Sequence, residues 1–262
     1  MSAVEYAVLR EEDGTTFVVA LVDQQEKIKG IGVFNPLQTL SNINIGEIVT
    51  IGQKQFQRLP PRLPELNKGM ARRAQTISSK DAGFFITRLG IGPGDVVLEA
   101  GIGSGGLSLH LARVLSANGT LITVEPRDEH AEIGLKNLER AKASWIGFPD
   151  HHHISGRIED VAEQIGTIKA HIDAIVLDLP EHPSAILTTA PLLQIGGRLA
   201  CYCPVSTQLE EAWVACEQAG LTVEWAGELM EREWGRASKG GLRPVNGPFG
   251  HTAFLLIALR NS

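Results

Sequence analysis

The stretch Val96-Val-Leu-Glu-Ala-Gly-Ile-Gly-Ser-Gly-Gly-Leu107 decides the fold. Val96–Ala100 is an apolar run interrupted only by Glu99, and it leads directly into a turn holding Gly101, Gly103, Gly105 and Gly106. A short apolar run bounded by glycine reads as a buried strand, and Leu107–Leu115 beyond it carries apolar residues at helical spacing. In a strand–glycine turn–helix unit a ligand can approach the main chain closely, because glycine has no Cβ to hold it off. The first helical turn adds free N–H groups and a partial positive charge. A tight turn without a ligand is the bland alternative, but this many glycines weaken a chain unless the space is used.

The same rhythm continues on both sides. Asp81–Leu89 reads as a helix stopped by Gly90, Thr120–Val124 as a strand ending in Glu125, and Asp128–Ala143 as a charged helix. His152–Ser155, Ile172–Leu177 and Gly197–Cys203 read as strands, Gln208–Ala219 as a helix, and Val223–Gly227 and Thr252–Leu259 as closing strands. Apolar strands alternating with amphipathic helices predict an α/β fold with a parallel sheet covered on both faces. Such sheets bind ligands outside the carboxyl ends of their strands. Upstream, Thr16–Val22, Gly32–Phe34 and Glu47–Ile51 are short β-type runs between turn signals and predict a small antiparallel module. Arg58-Leu-Pro-Pro-Arg-Leu-Pro64 reads as a linker, neither helix nor central strand. The expected division is a β module with linker over 1–66 and a second domain over 67–262.

Composition narrows the function classes. Of 262 residues, 43% are hydrophobic and 21% charged, with 24 Lys+Arg against 30 Asp+Glu, a net charge of −6. This is ordinary globular composition, not that of a disordered, collagen-like or coiled-coil chain. No apolar stretch is long enough for a transmembrane helix, and the opening MSAVEYAVLREEDG lacks the basic-then-apolar pattern of a secretory leader. A cytoplasmic protein with reduced thiols is expected, since the 3 cysteines make no disulfide framework. The acidic balance argues against indiscriminate nucleic-acid binding and leaves room for a local basic patch.

Gly101, Gly103 and Gly106 satisfy G-x-G-x-x-G, so a dinucleotide and S-adenosylmethionine are both admissible ligands of the turn. Glu125, at the next strand end, suits the hydroxyls of a ribose in either case. Glu99 before the first glycine, and the lack of a second glycine loop downstream, favour S-adenosylmethionine. A further carboxylate, Asp178 in Ile175-Val-Leu-Asp-Leu-Pro180, emerges at the end of an apolar strand, where it either caps the following loop or faces the reactive end of a cofactor.

These motifs continue in order as Arg72-Arg-Ala-Gln75-Thr-Ile-Ser78-Ser-Lys80-Asp81-Ala-Gly, Leu89-Gly-Ile-Gly-Pro-Gly94, Glu125-Pro-Arg-Asp-Glu-His-Ala-Glu132, Asp178-Leu-Pro180 and Arg243-Pro…Gly250-His251-Thr-Ala-Phe254. Together they resemble the tRNA (adenine-N1)-methyltransferase family, which modifies position 58 in the T loop; the likeness spans roughly 67–262, and the family also carries a small N-terminal β module. The resemblance implies a seven-stranded Rossmann-like methyltransferase sheet, S-adenosylmethionine as cofactor, tRNA as partner and a homotetramer. It places Gly101, Gly103, Ser104 and Gly105 against the methionine part of the cofactor, with Gly106 and Leu107 just inside the helix, and counts Glu99 and Asp178 among the cofactor-binding residues. Glu125 would hold the ribose, Arg157 and Ile158 the adenine; Gln75 would lie near cofactor and target base, and Asp178 would be the catalytic carboxylate. Arg72, Arg73, Ser78, His182 and His251 would meet the substrate, with no metal required.

The chain departs from the family at two places where the target base should enter. Ser78-Ser79 stands where the family has Tyr-Pro, and Glu181-His182-Pro183 where it has an acidic-Pro-Trp run. Loss of stacking aromatics, each worth about 1–3 kcal/mol per base, admits an adenine next to position 58 as the target. Other conspicuous residues carry less. His151-His152-His153 alternates across a strand and should not converge on one ion. Cys201 and Cys203 read as small buried side chains. Two basic runs, Arg58, Arg62, Lys68, Arg72, Arg73 and Lys80, then Arg232, Arg236, Lys239 and Arg243, flank the expected pocket and suit phosphate contact.

Overall fold

The structure, a computed structural model, describes residues 4–73, 75–245 and 250–262. In the N-terminal part, β1 (Tyr6–Arg10) and β2 (Thr16–Ala20) are followed by a ribbon of β3 (Glu26–Ile28) and β4 (Gly32–Phe34), the short helix α1 (Pro36–Leu40), β5 (Ile48–Ile51) and β6 (Lys54–Leu59). Four of these strands form an antiparallel sheet in the order β2-β1-β6-β5. Leu9, Leu40 and Phe56 are its fully buried centre. β1 lies inside this sheet although the sequence does not reveal it, since Ala7, Val8 and Leu9 make only a short unalternating apolar run before the charged residues from Arg10.

The proline-rich stretch is not a bare linker. β6 runs into it as far as Leu59, and the helix α2 (Leu63–Lys68) begins within it. Pro64 stands in the first turn of α2, where its missing N–H has no intrahelical partner to lose. The Trp145 indole donates to the Pro61 carbonyl at 2.7 Å, so the segment is fixed against the remainder of the chain.

Beyond it follow α3 (Ser79–Leu89), β7 (Val96–Ala100), α4 (Gly106–Leu115), β8 (Thr120–Glu125), α5 (Asp128–Ser144), β9 (Asp150–Ser155), α6 (Ala162–Ile168) and β10 (Ile172–Leu177). Then come α7 (Pro183–Thr189), β11 (Leu193–Cys203), α8 (Ser206–Gln218), β12 (Leu221–Gly227), a hairpin of β13 (Trp234–Arg236) and β14 (Leu242–Pro244), and β15 (Phe254–Arg260). The sheet has seven strands in the order β12-β15-β11-β10-β7-β8-β9. It is mixed rather than wholly parallel, because β15 runs antiparallel to both β11 and β12. Apolar pattern alone does not reveal that reversal: Leu255, Leu256 and Ile257 are buried on either face whichever way the strand points.

Successive residues of each central strand feed opposite layers. Val97, Leu121 and Val176 pack with Phe85, Leu109 and Leu138 from α3, α4 and α5. Leu98, Ile122 and Ile175 pack with Ile165, Ile186 and Ala212 from α6, α7 and α8. The two layers cover the sheet and leave its carboxyl edge open. β7, β8, β9, β10 and β11 all end on this edge. The structure is thus a Rossmann-like methyltransferase fold with a small antiparallel N-terminal β domain, as the resemblance implied.

Candidate functional site

The glycine turn lies at the centre of the carboxyl edge. Gly101 has φ +91°, and a Cβ there would stand 2.2 Å from the carbonyl oxygen of Asp178, so only glycine lets β7 and β10 end side by side. The Asp178 amide donates to the Ala100 carbonyl at 2.9 Å, which ties the two strand ends together. Farther along the turn, a Cβ on Gly134 of α5 would meet the Gly103 carbonyl at 2.9 Å. The glycines therefore serve close packing on two sides as well as any ligand.

The segment before α3 covers this turn, and Asn137 holds it there. Its buried amide donates to the carbonyls of Ala71 and Ser104 at 2.8 and 2.9 Å and accepts from the Ala71 amide at 3.1 Å. The Arg73 amide donates to the Ser104 hydroxyl at 3.1 Å. Sequence reasoning missed Asn137 and Gly134, since nothing local marks a mid-helix Asn or Gly as a contact to a distant loop.

Beside the turn opens a cavity of about 360 Å³. Glu125, Arg127, Arg157, Ile158, Leu179 and Pro180 line it, together with Val124 and neighbouring residues. Its polar floor is Glu125, whose side chain is fully buried and accepts from the Gly103 amide at 3.3 Å and from the Arg127 Nε at 2.7 Å. Burial alone would raise the Glu125 pKa, but the hydrogen bonds and charge of Arg127 outweigh it and hold the carboxyl below its ordinary range. Ile158, buried, and Leu179 supply apolar wall, while Arg157 is exposed at the rim.

Asp178 sits half-buried just before Leu179 and Pro180 of this wall. Burial, and then the negative charge of Glu125, push its carboxyl up to about 7, with Arg127 opposing. Glu99 lies deeper: its Oε2 accepts from the Ser108 hydroxyl at 2.6 Å, and burial pushes it up to about 8. The buried Glu99 clamps the start of α4 to β7 through Ser108 instead of facing the cavity.

The remaining sequence-derived residues fall into two groups. Arg72 and Ser78 line a second cleft of about 350 Å³ with Lys68 and Thr76, next to the glycine turn. Ser78 caps α3, donating to Asp81 Oδ2 at 2.9 Å, and Gln75 is exposed on the connecting segment. Arg73 reaches Glu129 at 2.8 Å. Ser104, Gly105, Gly106 and Leu107 form the turn and the start of α4. His182 is not at the surface: it is buried, with Nε2 4.0 Å from the Cys203 sulfur, so its ring supports the loop after Asp178 from beneath. His251 bridges the ends of β11 and β12, between the Pro204 carbonyl at 3.0 Å and Glu228 at 2.9 Å.

The basic runs are thinner than the sequence suggests. Arg58 spends its guanidinium on the carbonyls of Leu40 and Ile43, and Lys80 is tied to Asp81 at 2.6 Å and Thr252 at 2.8 Å. Tyr202 joins this polar network through Thr252, and burial pushes its phenol up to about 12. The His run alternates as expected: His151 and His153 both meet the Thr123 hydroxyl, at 2.9 and 3.0 Å, while His152 pairs with Asp150. Among the described residues no group of three or more His, Cys, Asp or Glu could hold a metal.

Comparison with known proteins places this architecture. The TrmI tRNA (adenine(57)-N(1)/adenine(58)-N(1))-methyltransferase of Methanocaldococcus jannaschii is 29% identical over 97% of this chain and 94% of its own. The tRNA (adenine(58)-N(1))-methyltransferase TrmI of Thermus thermophilus is 34% identical over 76% of this chain and 74% of its own. A solved S-adenosylmethionine-dependent O-methyltransferase from Thermotoga maritima superposes with TM-score 0.78 and 26% identity, covering 100% of this chain and 95% of that one. Since the family model described as "tRNA methyltransferase complex GCD14 subunit" matches residues 59–235, more than half of the sequence, this chain belongs to that family of tRNA methyltransferases.

Proposed function

We propose that the chain transfers a methyl group from S-adenosylmethionine to N1 of an adenine in the T loop of tRNA, at position 58 or an adjacent adenine. The placement of Asp178 carries this reading: a half-buried carboxylate at the carboxyl edge, locked to the glycine turn and followed by residues that wall the cavity. The names of the Methanocaldococcus and Thermus relatives support the adenine N1, and the former names positions 57 and 58 together. That breadth agrees with Ser78-Ser79, which leaves the second cleft without the stacking aromatic expected there.

The residues present fit the cofactor. Glu125 offers a buried carboxylate to a ribose diol, Ile158 and Leu179 offer apolar surface to an adenine, and the glycine turn exposes main chain at the start of α4. When bound, the cofactor supplies an electrophilic methyl group on sulfur. Adenine N1 already carries an in-plane lone pair, so the work left to the protein is positioning and charge stabilisation. Asp178 suits both, accepting a hydrogen bond from the N6 amino group and offsetting the positive charge that builds on the ring. N1 lies on the pairing edge, so the base must turn out of its pair to be reached. Lys68 and Arg72 at the second cleft, with Arg236, Lys239 and Arg243 on the hairpin, would contact phosphates.

Assembly as a homotetramer in the cytoplasm completes the proposal. Exposed Leu187, Trp213 and Val214 along α7 and α8 give an apolar surface of the kind that subunits cover. Pooling basic residues from several copies would also help a chain of net charge −6 to hold tRNA. No helix among the described residues is long and apolar enough to cross a membrane.

The test is methyl transfer from labelled S-adenosylmethionine to tRNA transcripts, with the product identified by nuclease digestion and mass spectrometry. The expected product is 1-methyladenosine, absent from transcripts lacking the T-loop adenines. Methylation of an oxygen, or cofactor binding with no transfer to any tRNA, rejects the substrate. Binding of a nicotinamide dinucleotide in place of S-adenosylhomocysteine rejects the cofactor and returns the glycine turn to a dinucleotide.

A further inference from the structure

Glu125 has no acceptor capacity to spare. Its Oε1 accepts from the Arg127 amide at 3.2 Å and from the Arg127 Nε at 2.7 Å. Its Oε2 accepts from the Gly103 amide at 3.3 Å and from the Arg127 Nη2 at 3.2 Å. A carboxylate presents about four lone-pair sites, and all are engaged. Two of the donors are main-chain amides held by the fold. The other two belong to one side chain that is 53% exposed, whereas the carboxylate it pairs with is fully buried.

A ribose diol donates two O–H groups to such a carboxylate, one to each oxygen. The guanidinium takes one site on each oxygen. The matching is stoichiometric and geometric: removing the guanidinium vacates one acceptor position on Oε1 and one on Oε2, while the amides of Gly103 and Arg127 continue to orient the carboxylate.

We infer that Arg127 is a displaceable plug in the nucleoside pocket, whose guanidinium must exchange with the ribose hydroxyls for the ligand to seat. The inference rests on the reading of this cavity as the cofactor pocket. In the absence of a nucleoside the plug keeps a buried carboxylate paired, which would otherwise be costly. On binding, the guanidinium moves into solvent, where it remains near Glu129 and Asp178, the other acidic groups that act on it. Arg127 is accordingly a positioning residue that opposes binding, not a ligand contact.

Calorimetric titration with S-adenosylhomocysteine, comparing wild type, Arg127→Lys and Arg127→Ala, tests this. Arg127→Ala should bind about fivefold tighter, the equivalent of ~1 kcal/mol. Arg127→Lys, which keeps charge but loses the two-pronged contact, should fall between. Equal or weaker binding by Arg127→Ala, with wild type binding normally, overturns the plug and leaves the cofactor assignment standing. Failure of all three proteins to bind overturns both.

Discussion

The carbonyl oxygen of Asp178 faces the α-carbon of Gly101 so closely that a methyl group there would lie 2.2 Å from it. The turn that would cradle the cofactor and the loop that carries Asp178, the proposed catalytic carboxylate, are therefore one packed unit. Gly101→Ala must both hold φ at +91° against a Cβ, costing about 1–2 kcal/mol, and push the Asp178 backbone away. Differential scanning fluorimetry should show a lower Tm, and methyl transfer should fall further than the fraction of folded protein explains. A variant with wild-type turnover would show that the contact tolerates relaxation.

Asp178→Asn isolates the charge of the carboxylate from its shape. Turnover should drop on the order of 10²–10³-fold, with S-adenosylhomocysteine affinity nearly unchanged, because the charge matters most where the base becomes cationic. Near-normal turnover would remove Asp178 from the chemistry.

The pH profile follows from the same group. Burial and the Glu125 charge raise Asp178 to about 7, and the proposed role requires its ionised form, so kcat/KM should rise with pH through about 7 and then level off. In Asp178→Asn that limb should vanish. A wild-type profile flat from pH 6 to 8 contradicts the assignment.

Glu99 governs stability instead. Its folded pKa, about 8, lies above the ordinary 4.5, so the folded state binds the proton more tightly than the unfolded one. The stabilisation is complete below pH 4.5 and is lost as pH rises towards 8. Thermal melts between pH 5 and 9 should show wild-type Tm falling across that window, and Glu99→Gln, which stays neutral, should fall less. Parallel curves for the two proteins would show that Glu99 is ionised in the fold.

Asn137→Leu should unfasten the cover of the glycine turn. It leaves the buried Ser104 carbonyl without its partner, at about 1–3 kcal/mol, and the half-buried Ala71 amide and carbonyl at less. Tm should fall by several degrees, at roughly 2–4 °C per kcal/mol for a protein of this size. S-adenosylhomocysteine affinity, read by calorimetry, should weaken with it. Loss of Tm without loss of affinity would mean that the cover does not shape the pocket.

The order of the strands from Val96 to Cys203, the helices α4 and α5, the glycine turn, and the emergence of Glu125 and Asp178 at strand ends were determined by the sequence alone, whereas α6 and α7 were not read there. Each depends on neighbours within a few residues: an apolar run makes a buried strand, a glycine ends it, and the next polar residue falls at the sheet edge. The proline-rich stretch misled for the opposite reason, since Pro64 forbids a helix interior but not the first turn it occupies. Tertiary structure decided what depends on residues far apart. The antiparallel entry of β15, the burial of His182, the 66-residue span that Asn137 closes to Ala71, and the ionisation of Glu99 and Asp178 all arise from packing between segments. A side chain's type is local, but its solvation and its hydrogen-bond partners belong to the folded chain, and those settle which carboxylate holds its proton more tightly, which one faces the cavity, and which is held by an arginine.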